Sequence, residues 1–74
     1  MNKERRKQIA EAVEHLRTAW ELIESVMDEE QEAYDNLSDG LQCSERGTTL
    51  EENIDTLSDA LDNISEVVDE IDVL

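Results

Sequence analysis

Residues 50–71 read LEENIDTLSDALDNISEVVDEI, and their large apolar side chains recur at alternating steps of four and three residues. Residues 9–41 carry the same rhythm. A seven-residue repeat keeps one apolar stripe on one face of a helix and favours packing against a second helix. The stripe positions are Ile9, Val13, Leu16, Trp20, Ile23, Met27, Tyr34, Leu37 and Leu41, followed by Leu50, Ile54, Leu57, Leu61, Ile64, Val68 and Ile71.

A short connection separates the two repeats. The sequence contains no proline, and both glycines, Gly40 and Gly47, fall between the repeats. The segment Asn-Leu-Ser-Asp-Gly at 36–40 has the composition of a turn. A connection of this length makes the two helices antiparallel neighbours.

The sequence therefore predicts an all-α fold, an antiparallel two-helix hairpin that forms a single domain over residues 1–74. The first helix is expected over about 3–36, the loop over 37–47 and the second helix over 48–72. The start of the second helix stays open between Ser44 and Thr49. Two overlapping capping boxes, Thr48 with Glu51 and Thr49 with Glu52, compete with the earlier start.

Folding the chain about residue 42 predicts which residues face each other. We expect Trp20 beside Ile64, in the seam between the helices. We also expect the N-terminal bases to lie next to the C-terminal acids, because each set opposes the dipole of its own helix and would neutralise the other. These are Lys3, Arg5, Arg6 and Lys7 on one side, and Asp69, Glu70 and Asp72 on the other.

Two residues break the repeat. Glu30 interrupts the stripe opposite Ile54, and it either fixes the register of the helices or reaches solvent near the loop. Leu22 lies outside the stripe, so we expect it to point away from the seam.

A second apolar stripe flanks the first and is wider than a two-helix seam requires. An isolated hairpin would leave half of this surface in water. We therefore predict a homodimer in which two hairpins form a four-helix bundle. The alternative is a monomer that covers the stripe with its target. The predicted dimer interface consists of Ala12, Ala19, Val26, Ala60 and Val67.

The chain is strongly acidic, with 21 Asp and Glu against 6 Lys and Arg and a formal net charge of −15. Eighteen of the acids lie after Arg17, where Arg46 is the only base. We expect a cytoplasmic protein, because no secretory segment is visible and no apolar run approaches the ~20 residues of a membrane span. An anionic surface also predicts no contact with acidic lipids and no direct binding of nucleic acid.

The acids of the second helix follow one outer line at steps of three and four residues. At a rise of ~1.5 Å per residue, this line carries a carboxylate about every 5 Å. Duplex DNA presents a comparable rod of charge, with phosphates ~3.4 Å apart along each strand. Two interpretations are open: a solvated face that keeps the protein in solution, or a surface that binds a basic protein in place of nucleic acid. The predicted partner-binding residues are Glu52, Asp55, Asp59, Asp62, Glu66 and Asp69, joined on the first helix by Asp28, Glu32 and Asp35.

No residue pattern points to catalysis, a metal or a cofactor. The segment from Asp35 to Gly40 has the start of a calcium loop, but the third and twelfth positions are Leu37 and Arg46, which cannot serve as ligands. His15 and Cys43 have no partner at metal-ligand or catalytic spacing. We expect a protein without metal or cofactor that is not an enzyme.

The strings DEEQEAYDNL at 28–37 and SERG at 44–47 resemble a group of small acidic helical proteins encoded by bacteriophages and prophages. Short acidic phage proteins include inhibitors of host defence, among them anti-CRISPR proteins, several of which are similar to DNA in surface charge. The resemblance implies a phage-encoded inhibitor whose partner is a basic, nucleic-acid-binding defence protein of the host. The alternative is a structural or adaptor coiled coil that acts through its apolar stripe.

Overall fold

A computed structural model describes residues 1–74 as three helices: α1 (Lys3–Asp35), α2 (Asp39–Gln42) and α3 (Glu45–Asp72). The long helices α1 and α3 pack against each other along most of their length, and the chain contains no strand. The molecule is a rod 58 Å long and 15 by 12 Å in cross-section. The predicted all-α helical hairpin is confirmed.

Helix α1 begins where the sequence offers a cap. The Asn2 Oδ1 atom accepts a hydrogen bond from the Arg5 backbone amide at 2.8 Å, which satisfies one of the amides left free at a helix start. The 33 residues that follow contain no glycine or proline, so nothing in the chain interrupts the helix before Asn36.

The connection differs from the predicted loop over 37–47. It contains the single-turn helix α2, and α3 begins at Glu45, at the early end of the range predicted for its start and three residues before residue 48. Ser44 occupies the N-cap position, but its hydroxyl bonds the Leu41 carbonyl oxygen instead of an α3 amide. Thr49 lies inside α3 and donates to the Glu45 carbonyl oxygen at 3.0 Å, so neither predicted capping box forms the helix start.

The seam between α1 and α3 encloses a single line of side chains. Only two of these side chains are well buried, those of Val13 and Leu61, at 3% and 5% exposure. The Trp20 Nε1 atom donates to the Leu61 carbonyl oxygen at 3.2 Å, and the Trp20 ring lines the same groove as Ile64, as the sequence predicts. Toward the turn, Asn53 donates to a carboxylate oxygen of Glu30 at 3.3 Å, so Glu30 contributes a polar contact to the register of the two helices.

The predicted neutralisation of the N-terminal bases is wrong. Asp72 lies opposite Arg17, with a carboxylate oxygen 3.9 Å from a guanidinium nitrogen, and none of the four bases before residue 8 forms an ion pair. The physical reason is length: helices paired outward from a turn near residue 42 run out of partner when α3 ends at Asp72. Residues 1–8 are all exposed and extend beyond α3; we call this segment the basic overhang.

Gly47 is required by a close approach of the backbone. It is buried in the first turn of α3, and a Cβ atom placed there would lie 2.6 Å from the Gln42 carbonyl carbon and closer still to its oxygen. Two hydrogen bonds hold Gln42 in place. Its backbone N–H donates to the Ser38 carbonyl oxygen, and its side-chain amide donates to the Tyr34 carbonyl oxygen.

We expect Gly47→Ala to lower the free energy of unfolding by about 1–3 kcal/mol, since the added methyl overpacks fixed backbone. Gly40→Ala is the matched control: no atom lies within 4 Å of its Cβ position, and replacing glycine in helix α2 should stabilise by up to about 1 kcal/mol. Urea unfolding followed by circular dichroism, at equal protein concentration, measures both. A Gly47→Ala variant as stable as Gly40→Ala would contradict the close approach.

Candidate functional site

The α1–α3 seam has two flanks that differ in chemistry. On one flank, Val26, Asn53 and Leu57 line a shallow groove together with Glu30 and Thr56. On the opposite flank a groove of about 250 Å³ is bordered by acids and one base; its lining residues are Arg17, Trp20, Glu21, Ile64, Ser65, Val68 and Asp69. Residues spaced seven apart lie on the same flank of a coiled-coil seam, so these grooves identify which rows of side chains share each flank.

The flank bordered by Glu21 and Asp69 carries a row of carboxylates from each helix. The α3 row consists of Asp55, Asp62 and Asp69, and the α1 row of Glu14, Glu21, Asp28 and Asp35. Two of the α3 row line grooves on this flank, Asp69 beside Trp20 and Asp55 beside Tyr34. We call these two rows the acidic side.

All nine of the predicted partner-binding acids are exposed, and none of them forms an ion pair. Five belong to the acidic side: Asp28, Asp35, Asp55, Asp62 and Asp69. The other four lie on the backs of the helices, at the outer edges of the hairpin. Glu32 is on the back of α1, and Glu52, Asp59 and Glu66 are on the back of α3, so Glu32 does not share a surface with those three.

A single base interrupts the acidic side. Arg17 pairs with Glu14 on its own helix at 3.4 Å and with Asp72 across the seam at 3.9 Å. Its charge is thus compensated near the end of the seam. From Glu21 to the turn, α1 presents acids and no base on this side, so the potential there is negative without interruption.

The predicted set omits five acids of this flank. Glu14 and Glu21 precede Asp28 at steps of seven residues, and Glu24 follows Arg17 by seven. Glu51 lines a groove on this flank, and Asp72 pairs with Arg17 across the seam. The seven-residue spacing is a sufficient signal for the three acids of α1, whereas Glu51 and Asp72 become part of the surface only through the pairing of the helices.

The predicted dimer residues share the other flank. Ala12 and Ala19 precede Val26 at steps of seven, and Ala60 and Val67 follow Asn53 in the same way. Val26 and Val67 are 47% and 41% exposed, while the three alanines are half-buried. Leu22, 65% exposed, lies one helical turn before Val26 and widens this surface. We call it the apolar side.

The remaining side chains that could bind a metal or act as a nucleophile do not form a site. His15 and the free Cys43 are exposed, and no group of three or more His, Cys, Asp or Glu side chains is arranged to hold a metal ion. No helix is both long enough and apolar enough to cross a membrane. The geometry offers two surfaces for contact with other molecules, one acidic and one apolar.

Tyr34 connects the acidic side to the turn. The nearby Glu51 carboxylate, an acceptor that favours the protonated hydroxyl, raises the pKa of the Tyr34 phenol above its usual value of 10.0. Partial desolvation raises this pKa further, and so does the negative charge of Glu51, Cys43 and Asp35. The unfolded chain ionises first as pH rises, so this contact loses its stabilising effect above the ordinary tyrosine pKa.

We expect Glu51→Gln to lower the pKa of Tyr34 toward its usual value, because a neutral amide repels the phenolate less than a carboxylate does. Tyr34 is the only tyrosine, so tyrosinate absorbance during an alkaline titration reports it alone. Glu52→Gln, on the back of α3, is the control and should leave the titration close to that of the original chain. Equal shifts in both variants would show that only the general acidity of the chain acts on Tyr34.

Comparison with protein-family models finds no match, and comparisons with curated proteins and with solved structures find none either.

Proposed function

We propose that this chain is a small acidic inhibitor that binds a basic, nucleic-acid-binding surface of another protein in place of nucleic acid. The observation that carries the proposal is the acidic side: two rows of exposed carboxylates on a straight rod, with no base between Glu21 and the turn. These carboxylates resemble the phosphates of a nucleic-acid backbone in charge and spacing, so a groove that binds phosphates through Lys and Arg could bind them as well.

The linear density of charge supports this proposal. A net charge of −15 along a 58 Å rod is about one charge every 4 Å. One strand of duplex DNA carries a phosphate every ~3.4 Å of the axis. Two copies side by side would present about one charge every 2 Å, close to the ~1.7 Å of the whole duplex.

We propose further that the active form is a homodimer joined through the apolar side. The seam alone buries very little, and exposed Leu22, Val26 and Val67 lie together on one flank. Chains of this size rarely gain more than about 3–5 kcal/mol from one core, so a second layer of packing would stabilise them. Face-to-face packing forms a four-helix bundle and leaves an acidic side on each outer surface.

We also propose an origin and a class of target for this chain. The resemblance of DEEQEAYDNL and SERG to acidic phage proteins favours a phage-encoded, anti-defence inhibitor, of the anti-CRISPR kind, that acts in the cytoplasm of its host. The acidic side favours a basic nucleic-acid-binding defence protein as partner. Neither surface offers an enclosed pocket for chemistry, and we propose no enzyme activity, metal or cofactor.

We expect the triple variant Asp55→Lys, Asp62→Lys and Asp69→Lys, which reverses the α3 row of the acidic side, to lose its protein partners without loss of helicity, since reversed charges repel a basic groove. The original chain, the Lys variant and a control variant are each immobilised and exposed to nuclease-treated host lysate, and the captured proteins are identified by mass spectrometry. The control variant reverses Glu4, Glu11 and Glu70, which gives the same change in net charge outside the predicted partner-binding residues.

Displacement by DNA is the sharper readout of this experiment. Free duplex DNA should release the proteins that the original chain captures, because both compete for one groove. The control variant should keep most of its captured proteins. Partners that the Lys variant retains, or that duplex DNA does not displace, would contradict mimicry.

Ionic strength separates this proposal from an adaptor that acts through the apolar side. Between about 0.1 and 0.5 M salt the Debye length falls from ~10 to ~4 Å, so mimicry predicts a steep loss of target affinity. Apolar docking holds or tightens under the same change. Affinity for the captured partner, measured by surface plasmon resonance across this range, decides: constant affinity favours the adaptor.

A further inference from the structure

The basic overhang is the one part of the molecule whose charge is uncompensated and positive. It holds Lys3, Arg5, Arg6 and Lys7 against the single acid Glu4, all exposed and none in an ion pair. It is nevertheless a helix from Lys3 onward, capped by Asn2. Bases at this end oppose the positive end of the α1 dipole, so an acidic partner would stabilise the overhang.

The overhang continues the apolar side of the hairpin. Arg5 precedes Ala12 by seven residues and therefore lies on the same flank. Arg6 precedes Val13 by seven and occupies the seam row, at a level where α3 has already ended. Arg5 is thus positioned to meet whatever covers the apolar side, and Arg6 lies beside it in the part of the seam row that α3 leaves uncovered.

Acids lie on the same flank at the opposite end of the rod. Glu30 is half-buried, accepts a hydrogen bond from Asn53 and lines the groove that contains Val26. Glu29 follows Leu22 by seven residues and borders the apolar side as Leu22 does. This side of the rod therefore has Arg5 at one end with Arg6 next to it, small apolar residues in the middle and two glutamates at the other end.

We infer that a second copy of this chain packs antiparallel on the apolar side, with the overhang of each copy against Glu29 and Glu30 of the other. This inference rests on the proposed dimer and adds its orientation. With Ala19 on the two-fold axis, Ala12 faces Val26 of the other copy. Arg5 then lies level with Ala33, within about one helical turn of Glu29 and Glu30 at ~1.5 Å per residue. An isologous interface of this kind repeats each contact twice.

Parallel packing of the same two surfaces would be opposed by charge. It places the two overhangs side by side, and it also places the two turn ends, each rich in acids, next to each other. Like charges juxtaposed across an interface are costly. The opposite charges at the two ends of the rod therefore favour the antiparallel arrangement.

The single native cysteine provides a direct test of orientation. Cys43 is exposed at the turn, and a nitroxide attached to it marks that end of each copy. Antiparallel packing about Ala19 places two labels about 60 Å apart, whereas parallel packing places them about 20 Å apart. Pulsed electron resonance on the dimer fraction measures the distance.

The outcomes separate this inference from the proposed dimer. A distance near 60 Å supports it. A distance near 20 Å overturns the orientation and leaves the dimer standing. A monomeric mass by light scattering, with no dipolar signal, overturns both.

Charge reversal tests the contact itself. Arg5→Glu with Arg6→Glu should raise the dimer dissociation constant about tenfold, because attraction to Glu29 and Glu30 becomes repulsion. Adding Glu29→Arg with Glu30→Arg should restore most of the affinity. The control reverses Lys3 and Lys7, which make the same change in net charge away from the apolar side. Sedimentation equilibrium measures each variant, and equal weakening by Lys3 and Lys7 reversal would overturn the contact.

Discussion

A seam between two helices can enclose only one line of side chains, and this limit governs the rest of the molecule. Val13 and Leu61 are the only well-buried side chains, while most of the other seam positions remain half-exposed. The register depends on directional contacts as much as on burial. The Trp20 indole donates to the Leu61 carbonyl oxygen, and Asn53 donates to Glu30 about three turns farther along α1. Nearly everything outside this line is surface, so the two flanks of the seam are what the chain presents to other molecules.

Each helix has an apolar row on one side of its seam positions and an acidic row on the other, and antiparallel pairing brings like rows together. In both helices small apolar residues precede one seam position, as Ala19 precedes Trp20 and Ala60 precedes Leu61, and acids follow it. In an antiparallel pair these preceding positions meet on one flank and the following positions on the other. The result is a rod with an apolar side and an acidic side. The dense charge of the acidic side disfavours a compact chain, but an elongated hairpin spaces its charges farther apart than a sphere would.

The repeat was sufficient to predict the helical hairpin and the place of Trp20, because a seven-residue spacing has one structural interpretation over this length. The repeat left the start of α3 open between Ser44 and Thr49, because several residues there could cap a helix, and the structure places it at the early end with Ser44 as the N-cap. The close approach of Gln42 to Gly47 belongs to the folded turn and has no local signal in the sequence. The predicted pairing of the N-terminal bases with the C-terminal acids was wrong for a related reason: complementary charge suggested a pairing that the length of α3 does not allow. Spacing also could not separate the acidic side from the backs of the helices, because that division exists only once the helices are paired.

The charge of the chain opposes the association that its apolar side favours. Two copies of charge −15 repel each other overall, even where the overhang of one meets acids of the other, and salt weakens that repulsion while it weakens attraction to a basic target. A basic groove that neutralises one acidic side would relieve part of the repulsion between copies, so target binding and dimer formation would stabilise each other by linkage. A face-to-face bundle also turns its two acidic sides outward in opposite directions. A single groove would therefore contact one copy at a time, and the dimer would have two equivalent binding surfaces.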